Sequence, residues 1–197
     1  MRPSRSSEHT ERVADRREQL RATLREVITG PAEFVWEVGC GHGHFLAAYA
    51  ASHPKQQCIG IDISSDRVAR ANRKRERARL GNLHFILADG EDFLSVMPRE
   101  SRFAAIYVLF PDPWPKRRHH KNRIIRPEFL TAAAAAAKKG TRLFFRTDHE
   151  GYFLEGKSVI GAHGDWSLAD IDLMPFEEPT VFQKRAARHF TLVATRR

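Results

Sequence analysis

The chain contains little cysteine and no long apolar run, and each shortage excludes a class of protein. Only two of the 197 residues are cysteine, Cys40 and Cys58, which is too few for a disulfide framework or a four-thiolate zinc site. The longest weakly polar stretches, residues 103–110 and 130–137, are far shorter than the roughly 20 residues that span a bilayer. The first residues are charged and lack the apolar centre of a secretory signal. We therefore expect a soluble cytoplasmic protein with no membrane partner.

Acidic residues are outnumbered, and the excess positive charge is concentrated in two places. The chain has 33 Lys+Arg against 24 Asp+Glu, a formal charge of +9. Residues 67–79 hold seven basic residues and one acid, and residues 116–126 hold six basic residues, two histidines and no acid. The first run is predicted to lie on a helix, where a solvated surface explains it as well as a binding surface does. The second run follows prolines and a tryptophan, and a basic loop with an aromatic residue indicates a polyanionic partner, most simply nucleic acid.

The chain shows neither internal repeats nor low-complexity linkers, and strand and helix patterns alternate along it. Five strand–helix units in order predict a doubly wound α/β fold with a mainly parallel sheet of about seven strands. We expect residues 1–30 to form a polar segment and a helix, and residues 31–197 to form one domain. The predicted helices are 11–28, 45–53, 64–80, 91–96, 127–138 and 149–163; the predicted strands are 34–38, 57–61, 83–87, 103–110, 141–147, 166–173 and 189–195.

A glycine-rich turn follows the first predicted strand. Gly39, Gly41 and Gly43 allow the backbone to turn sharply and to approach a ligand without side-chain collision. Asp62 ends the second predicted strand, 23 residues after Gly39. Ligands of a doubly wound sheet bind beyond the carboxyl ends of the strands, where the strand order reverses. A carboxylate at that place accepts hydrogen bonds from the two ribose hydroxyls of an adenosine group.

Two adenosine-containing ligands are compatible with a glycine turn of this kind. A dinucleotide fingerprint requires glycine at its sixth position, where this chain has His44. Glu37 lies two residues before the first glycine, where an acid repels a pyrophosphate but suits a sulfonium ligand that carries an ammonium group. The pattern therefore favours S-adenosylmethionine over a dinucleotide. Asp89, after the third predicted strand, is then placed to contact the adenine amino group.

The loop after the fourth predicted strand is the most informative part of the sequence. Residues 111–115 contain three prolines, which stiffen the backbone and hold Asp112 and Trp114 in place. Trp114 offers a flat face on which a base can stack, Asp112 offers an acceptor for the N–H groups of a base, and the basic run from Lys116 offers phosphate contacts. The alternative is a purely structural proline-rich turn, in which the acid is incidental and Trp114 covers the edge of the core.

The chain closely resembles the bacterial tRNA (guanine-N7-)-methyltransferase family (TrmB-like). Residues 110–123 match the family signature almost residue for residue, and the likeness extends over roughly residues 34–197, including the segment 179–182. The resemblance implies a Rossmann-like S-adenosylmethionine-dependent methyltransferase fold. It also implies methylation at N7 of a guanine, with S-adenosylmethionine as the cofactor and tRNA as the partner.

The residues and the resemblance together predict the members of the site. Asp112 is the predicted catalytic residue. The predicted cofactor-binding residues are Glu37, Gly39, Gly41, Asp62, Asp89 and Asp112, and the predicted substrate-binding residues are Trp114, Lys116, Asp148, Thr180 and Gln183. The chain departs from the family pattern in two places. The family usually has glutamate where this chain has Gln183, and the basic region of this chain before the first strand is short.

Several alternatives remain open at the level of the sequence. The same fold can methylate another RNA, a protein or a small amine, and the departure at Gln183 is the feature that favours this alternative. A non-catalytic RNA-binding module has no need of the acids around the glycine turn. The histidine pairs His42/His44 and His119/His120 lack the i, i+4 spacing of a helical zinc motif, so no metal is predicted. A monomer and a homodimer are both compatible with the sequence.

Overall fold

A computed structural model of the chain describes residues 5–170, 174–178 and 188–197, with side chains from residue 10 onward. The helices are α1 (Arg5–Val27), α2 (His44–Ser52), α3 (Ser65–Arg77), α4 (Gly90–Val96), α5 (Pro127–Ala135) and α6 (Glu150–Gly161), with a 3₁₀ turn at Arg117–Asn122. The strands are β1 (Glu33–Val38), β2 (Gln57–Asp62), β3 (Leu83–Leu87), β4 (Arg102–Leu109), β5 (Ala137–Thr147), β6 (Trp166–Leu168) and β7 (Phe190–Arg196).

The seven strands form one sheet in the order β3-β2-β1-β4-β5-β7-β6. The first five strands in this order pair in parallel, whereas β7 is antiparallel to β5 and to β6. The order reverses between β1 and β4, so the crevice for a ligand lies beyond the carboxyl ends of these two strands. The predicted doubly wound, mainly parallel sheet is confirmed.

Hydrophobic side chains cover both faces of the sheet because successive residues of a strand point to opposite sides. On one face, the ring of Trp36 stacks between those of Phe93 and Phe103, each with its centroid 4.9 Å away. On the other face, Tyr107 stacks on Phe144 at 4.7 Å. This two-sided core fixes the carboxyl ends of the strands and with them the loops that carry the predicted site.

The N-terminal helix is longer than the sequence pattern predicts. It begins at Arg5, whereas the pattern predicts a polar segment followed by a helix from residue 11. Leu20 and Leu24 are buried in the core, and they anchor the helix to the domain. In the part of the chain that the structure describes, no helix has the length and apolarity needed to cross a membrane.

Several element ends differ from their predicted positions. Helix α3 ends at Arg77 rather than at residue 80, and Arg79 adopts a positive φ of 53°. The run of alanines favours a helix to residue 138, but Ala137 pairs with Phe103 as the start of β5. Sheet pairing here outweighs helix propensity. Strand β6 covers only Trp166–Leu168 of the predicted 166–173, and residues 171–173 lie outside the described part.

Candidate functional site

A cavity of about 670 Å³ lies at the carboxyl edge of the sheet, where the strand order reverses. Its lining comes from the residues that follow β1, β2, β3 and β4. It brings together seven of the predicted site residues: Glu37, Gly39, Gly41, Asp62, Asp89, Asp112 and Trp114. Lys116 and Asp148 are exposed and are not part of the lining, and Thr180 and Gln183 lie outside the described residues.

The glycines of the turn after β1 have two different functions. Gly39 and Gly41 have φ angles of 74° and 54°, and a Cβ atom added to either would meet nothing within 4 Å. Their bare backbone therefore borders open space, which leaves room for a ligand. Gly43 has a φ of 67°, and a Cβ atom there would lie 2.4 Å from the ring of Phe85. This third glycine is needed for packing.

Asp62 ties the end of β2 to the glycine turn. One carboxylate oxygen accepts a hydrogen bond from the Gly41 N–H at 2.9 Å, and the other accepts one from the Ser64 N–H at 2.8 Å. The side chain is only 3% exposed, and the guanidinium of Arg67 lies 3.7 Å away. Each oxygen retains a second acceptor site. The carboxylate can therefore hold the turn and accept further hydrogen bonds from a ligand.

Glu37 is a buried acid with an unsatisfied oxygen. The residue is 3% exposed, and its Oε2 atom has no hydrogen-bond partner among the described residues. Burial raises the pKa of Glu37 to about 8, against a lowering contribution from a hydrogen bond with the Leu46 backbone, and the nearby Asp62 raises it further. A buried carboxylate with an unsatisfied oxygen is costly unless a cation neutralises it. Because Glu37 lines the cavity, a positively charged ligand suits this site.

Asp89 is positioned by the N-terminal helix. Its side chain caps α4 by accepting a hydrogen bond from the Asp92 N–H at 2.8 Å. Asp92 is itself buried and receives hydrogen bonds of 2.7 Å from both Arg16 and Arg17 of α1. Burial alone would raise the pKa of Asp92, but the two arginines outweigh it and lower the pKa below its usual value. This contribution of α1 was not predicted from the sequence.

The loop after β4 has a constrained backbone on both sides of Asp112. Phe110 and Trp114 have positive φ angles of 50° and 44°, a conformation that bulky side chains rarely adopt. The Phe110 N–H donates to the Arg146 carbonyl at 2.7 Å. Trp114 is half-buried and meets the ring of His119 edge-on at 5.8 Å. Asp112 is exposed at the mouth of the cavity.

The basic run over residues 116–126 does not act as one surface. Arg117, Arg118 and Lys121 are exposed, as expected for phosphate contacts. Arg123 is only 2% exposed and bonds to groups within the protein, and Arg126 forms an ion pair with Glu91. The interpretation of the whole run as RNA-facing is therefore wrong for Arg123. Its burial has no signal in the sequence because its carboxylate partner lies more than thirty residues away.

A second basic surface lies on α3. A shallow cavity of about 580 Å³ is lined by Arg70, Arg73, Lys74 and Arg77. The Lys74 ammonium donates a hydrogen bond to the His42 carbonyl in the glycine turn at 2.8 Å. Cationic side chains therefore continue from the rim of the main cavity onto this helix.

Ile63 was not predicted as a site residue. It follows Asp62 directly, lines the cavity and is 74% exposed, so it offers apolar surface to a ligand ring. An apolar residue after a strand-ending acid is the only sequence signal for it. Among the residues that the structure describes, no group of three or more histidine, cysteine or acidic side chains is arranged to hold a metal ion.

Comparisons of the whole sequence agree with the geometry of the site. Residues 31–190 match the family model described as "Putative methyltransferase". A tRNA (guanine-N(7)-)-methyltransferase from Alkalilimnicola ehrlichii is 34% identical over 131 residues, which are 66% of this chain and 55% of that protein. A protein of the same name from Rubrobacter xylanophilus is 34% identical over 152 residues, which are 75% of this chain and 68% of that protein. The chain belongs to the tRNA (guanine-N(7)-)-methyltransferase family.

The likeness of this family member to solved structures concerns the fold. The magnesium protoporphyrin IX methyltransferase of Synechocystis PCC 6803, solved with bound SAM, matches 92% of this chain and 80% of that chain with a TM-score of 0.55 and 18% identity. The chain spans between about half and two thirds of the length of the curated relatives it matches. Their activity and substrate are therefore carried over to it only as a proposal.

Proposed function

We propose that the protein is an S-adenosylmethionine-dependent methyltransferase that methylates N7 of a guanine in tRNA. The observation that carries this proposal is the unsatisfied buried carboxylate of Glu37 in a cavity whose mouth holds Asp112 and Trp114. The buried acid calls for a cationic ligand, and the acid and aromatic ring at the mouth suit a purine base. The membership of the chain in the family named above also supports the proposal.

The residues around the cavity fit the methyl donor. The unsatisfied Oε2 atom of Glu37 is suited to the ammonium group, Asp62 to the ribose hydroxyls, and Asp89 to the adenine amino group. The open space beside Gly39 and Gly41 gives the backbone close access to the ligand. S-adenosylmethionine supplies an activated methyl group on a sulfonium. The protein therefore has to bind, orient and shield the reactants.

Guanine N7 has a lone pair and no proton, so the reaction needs no initial deprotonation. The main requirement is the alignment of N7 with the methyl carbon, and orientation of two bound reactants contributes roughly 7–11 kcal/mol in favourable cases. Asp112 can accept hydrogen bonds from the N1–H and the exocyclic amino group of guanine. Its charge also offsets the positive charge that develops on the purine. We assign Asp112 as the catalytic residue that orients the base and stabilises this charge.

The RNA contacts are proposed for the loop after β4, for Asp148 and for the segment 180–183. Trp114 would stack on a base, Lys116 and the exposed arginines after it would contact phosphates, and Asp148 with the 180–183 segment would contact the substrate. A stacked or paired guanine must be displaced at a cost of a few kcal/mol, which phosphate contacts offset. We place the activity in the cytoplasm and assign it to residues 31–197, with α1 packed on this domain through Leu20 and Leu24. A monomer or a homodimer satisfies the site equally.

The decisive experiment is incubation of the protein with methyl-labelled S-adenosylmethionine and unmodified tRNA, followed by nucleoside mapping. We expect label in 7-methylguanosine. Label in another nucleoside, in protein or in a small amine would favour the alternative substrates of the same fold. Donor binding without transfer to any of these would favour the non-catalytic RNA-binding module.

Asp62→Ala is expected to weaken donor binding by about 1.5–3 kcal/mol, the range for loss of hydrogen bonds to a charged group. The variant removes the ribose acceptor and frees the N–H groups of Gly41 and Ser64 that the carboxylate now holds. Isothermal titration calorimetry measures the change. The matched control is Asp66→Ala, because Asp66 is exposed on α3 and pairs with the exposed Arg70. Equal donor affinities for the two variants would remove Asp62 from the site.

Replacing Arg117, Arg118 and Lys121 together by glutamine is expected to weaken tRNA binding and to flatten its salt dependence. The slope of log K against log salt becomes shallower by about 0.9 for each duplex phosphate that the protein no longer neutralises. Donor affinity should stay unchanged because the acids of the cavity are untouched. Filter binding over a range of salt concentrations measures the slope.

A matched triple variant controls for the change in net charge. Lys138, Lys139 and Arg142 are exposed at the start of β5, at the opposite edge of the sheet from the cavity. Their replacement by glutamine removes the same charge. If both triple variants show the wild-type slope, the loop after β4 is only a solvated surface.

A further inference from the structure

Arg123 is the most deeply buried cationic side chain described in the loop after β4. It is 2% exposed, and its partners come from two different parts of the fold. Its Nε–H donates to the Pro113 carbonyl at 2.8 Å, and its Nη1 donates to Glu155 Oε2 at 2.5 Å. The guanidinium also lies over the ring of Tyr152, 4.7 Å from its centroid. Pro113 stands between Asp112 and Trp114, whereas Tyr152 and Glu155 belong to α6.

Tyr152 extends the same connection. Its hydroxyl oxygen accepts hydrogen bonds from the N–H groups of Ile124 and Ile125, at 2.9 and 3.2 Å. The residue is fully buried. The end of the loop is therefore fixed to α6 by hydrogen bonds from its backbone to the Tyr152 hydroxyl. Its start is fixed to α6 through Arg123.

Burial of the Arg123 charge is weak evidence for a contribution to stability, because the cost of removing that charge from water offsets its attraction to the partly exposed Glu155. An apolar residue would fill the position of Arg123 without that cost. What an apolar residue cannot do is donate to a carbonyl and to a carboxylate at once in a planar, fixed geometry. The contacts of Arg123 therefore indicate that this residue holds the loop after β4 in position.

We propose that Arg123 is a positioning residue that fixes Asp112 and Trp114 relative to α6. Helix α6 begins two residues after Asp148, so the arginine joins the two loops that carry the acids assigned to the substrate. This inference rests on the proposed methyl transfer to guanine. Without the arginine, Asp112 and Trp114 would be present but displaced, and a misplacement of about 1 Å costs on the order of 100-fold in rate.

The test compares single-turnover methyl transfer to tRNA in Arg123→Met and in a matched control, Arg196→Met. Arg196 also bonds to a carbonyl and a carboxylate, those of Ala134 and Asp165, but at the far side of the sheet. We expect Arg123→Met to slow transfer about 100-fold while donor affinity changes less than threefold. Arg196→Met should keep its rate within threefold of the wild type, even if its melting temperature falls as far as that of Arg123→Met.

Two further variants keep the test informative if Arg123→Met does not fold. Glu155→Gln retains an acceptor but not its charge, and Tyr152→Phe removes only the hydroxyl. We expect each to slow transfer about tenfold and to speed hydrogen exchange across residues 111–126. Glu155→Gln added to a folded Arg123→Met should slow transfer no further, because the effects of residues in contact are not additive.

The outcomes separate this inference from the proposed function. Transfer by the wild type, with the variants at Arg123, Tyr152 and Glu155 as fast as Arg196→Met, would overturn the positioning role alone. A rate loss that tracks donor affinity or melting temperature would also overturn it. Absence of 7-methylguanosine with the wild type would overturn the proposed function, and the positioning role with it.

Discussion

Asp112→Asn should slow methyl transfer to tRNA guanine by 10²–10³, which corresponds to about 3–4 kcal/mol for loss of a fixed electrostatic partner. Asparagine keeps the shape of the side chain and removes its charge. Its amide can also present an N–H donor to guanine N–H groups that require an acceptor. Single-turnover transfer to unmodified tRNA measures the effect, with 7-methylguanosine identified by its mass and its alkaline lability.

Donor affinity of this variant should change far less than its rate. Asp112 is exposed at the cavity mouth, whereas the donor is assigned chiefly to the buried Glu37 and Asp62 and to the half-buried Asp89. Asp15→Asn is the matched control, because Asp15 is an exposed acid on α1. A variant at Asp112 that transfers methyl groups at the wild-type rate would contradict its catalytic role.

Glu37→Gln should change donor affinity and stability in opposite directions. Truncation of one partner in a buried charge pair costs about 2–5 kcal/mol, so the variant should bind S-adenosylmethionine at least about 30-fold more weakly. The protein without donor should become more stable at neutral pH, because glutamine occupies the buried site without a tendency to ionise. Calorimetric titration and thermal unfolding measure the two effects.

The raised pKa of Glu37 sets the direction in which the stability of the donor-free protein changes with pH. The folded protein without donor holds a proton on Glu37 up to the raised pKa of about 8, whereas the unfolded chain loses it near 4.5. Between these values unfolding releases a proton, so the contribution of Glu37 to stability is greatest below about pH 4.5 and falls as pH rises, by up to about 1.4 kcal/mol per pH unit. Glu37→Gln should remove this slope between pH 5 and 8.

Donor binding should show the complementary proton release. A cation beside Glu37 favours its carboxylate, so binding below pH 8 expels a proton and tightens as pH rises toward 8. Calorimetry in two buffers with different ionisation enthalpies counts the proton. A wild-type protein that binds the donor without proton release would show that Glu37 is already ionised or does not meet the cation.

The parts of the fold that the sequence predicted are those governed by local pattern. Short buried strands ending in glycine or aspartate, such as the one before Gly39, lie where the periodicity places them. The errors occur where tertiary pairing overrides local preference. Ala137 follows a helical alanine run and still joins the sheet through Phe103.

The candidate site was predictable where residues that are close in the sequence contribute to the same part of the site. The glycine turn and the proline-rich loop each lie within a short segment, and the parallel sheet brings both to one edge. The support of the site was not predictable, because it depends on contacts across the chain. Arg16 bonds to Asp92 at a separation of 76 residues, and Arg123 bonds to Glu155 at a separation of 32. Charge counting assigns such arginines to the surface.

The positive φ angles of Phe110 and Trp114 carry a consequence for protein engineering. Strain of this kind costs about 1–3 kcal/mol per residue, and glycine adopts the same conformation freely. The Phe110 ring packs against the core, and its loss would cost more than the strain. A library selected only for heat resistance should therefore enrich glycine at the half-buried Trp114 rather than at Phe110. At Trp114 the enriched variants would lack the flat ring proposed to stack on the base, so resistance to heat would be gained at the expense of the substrate loop.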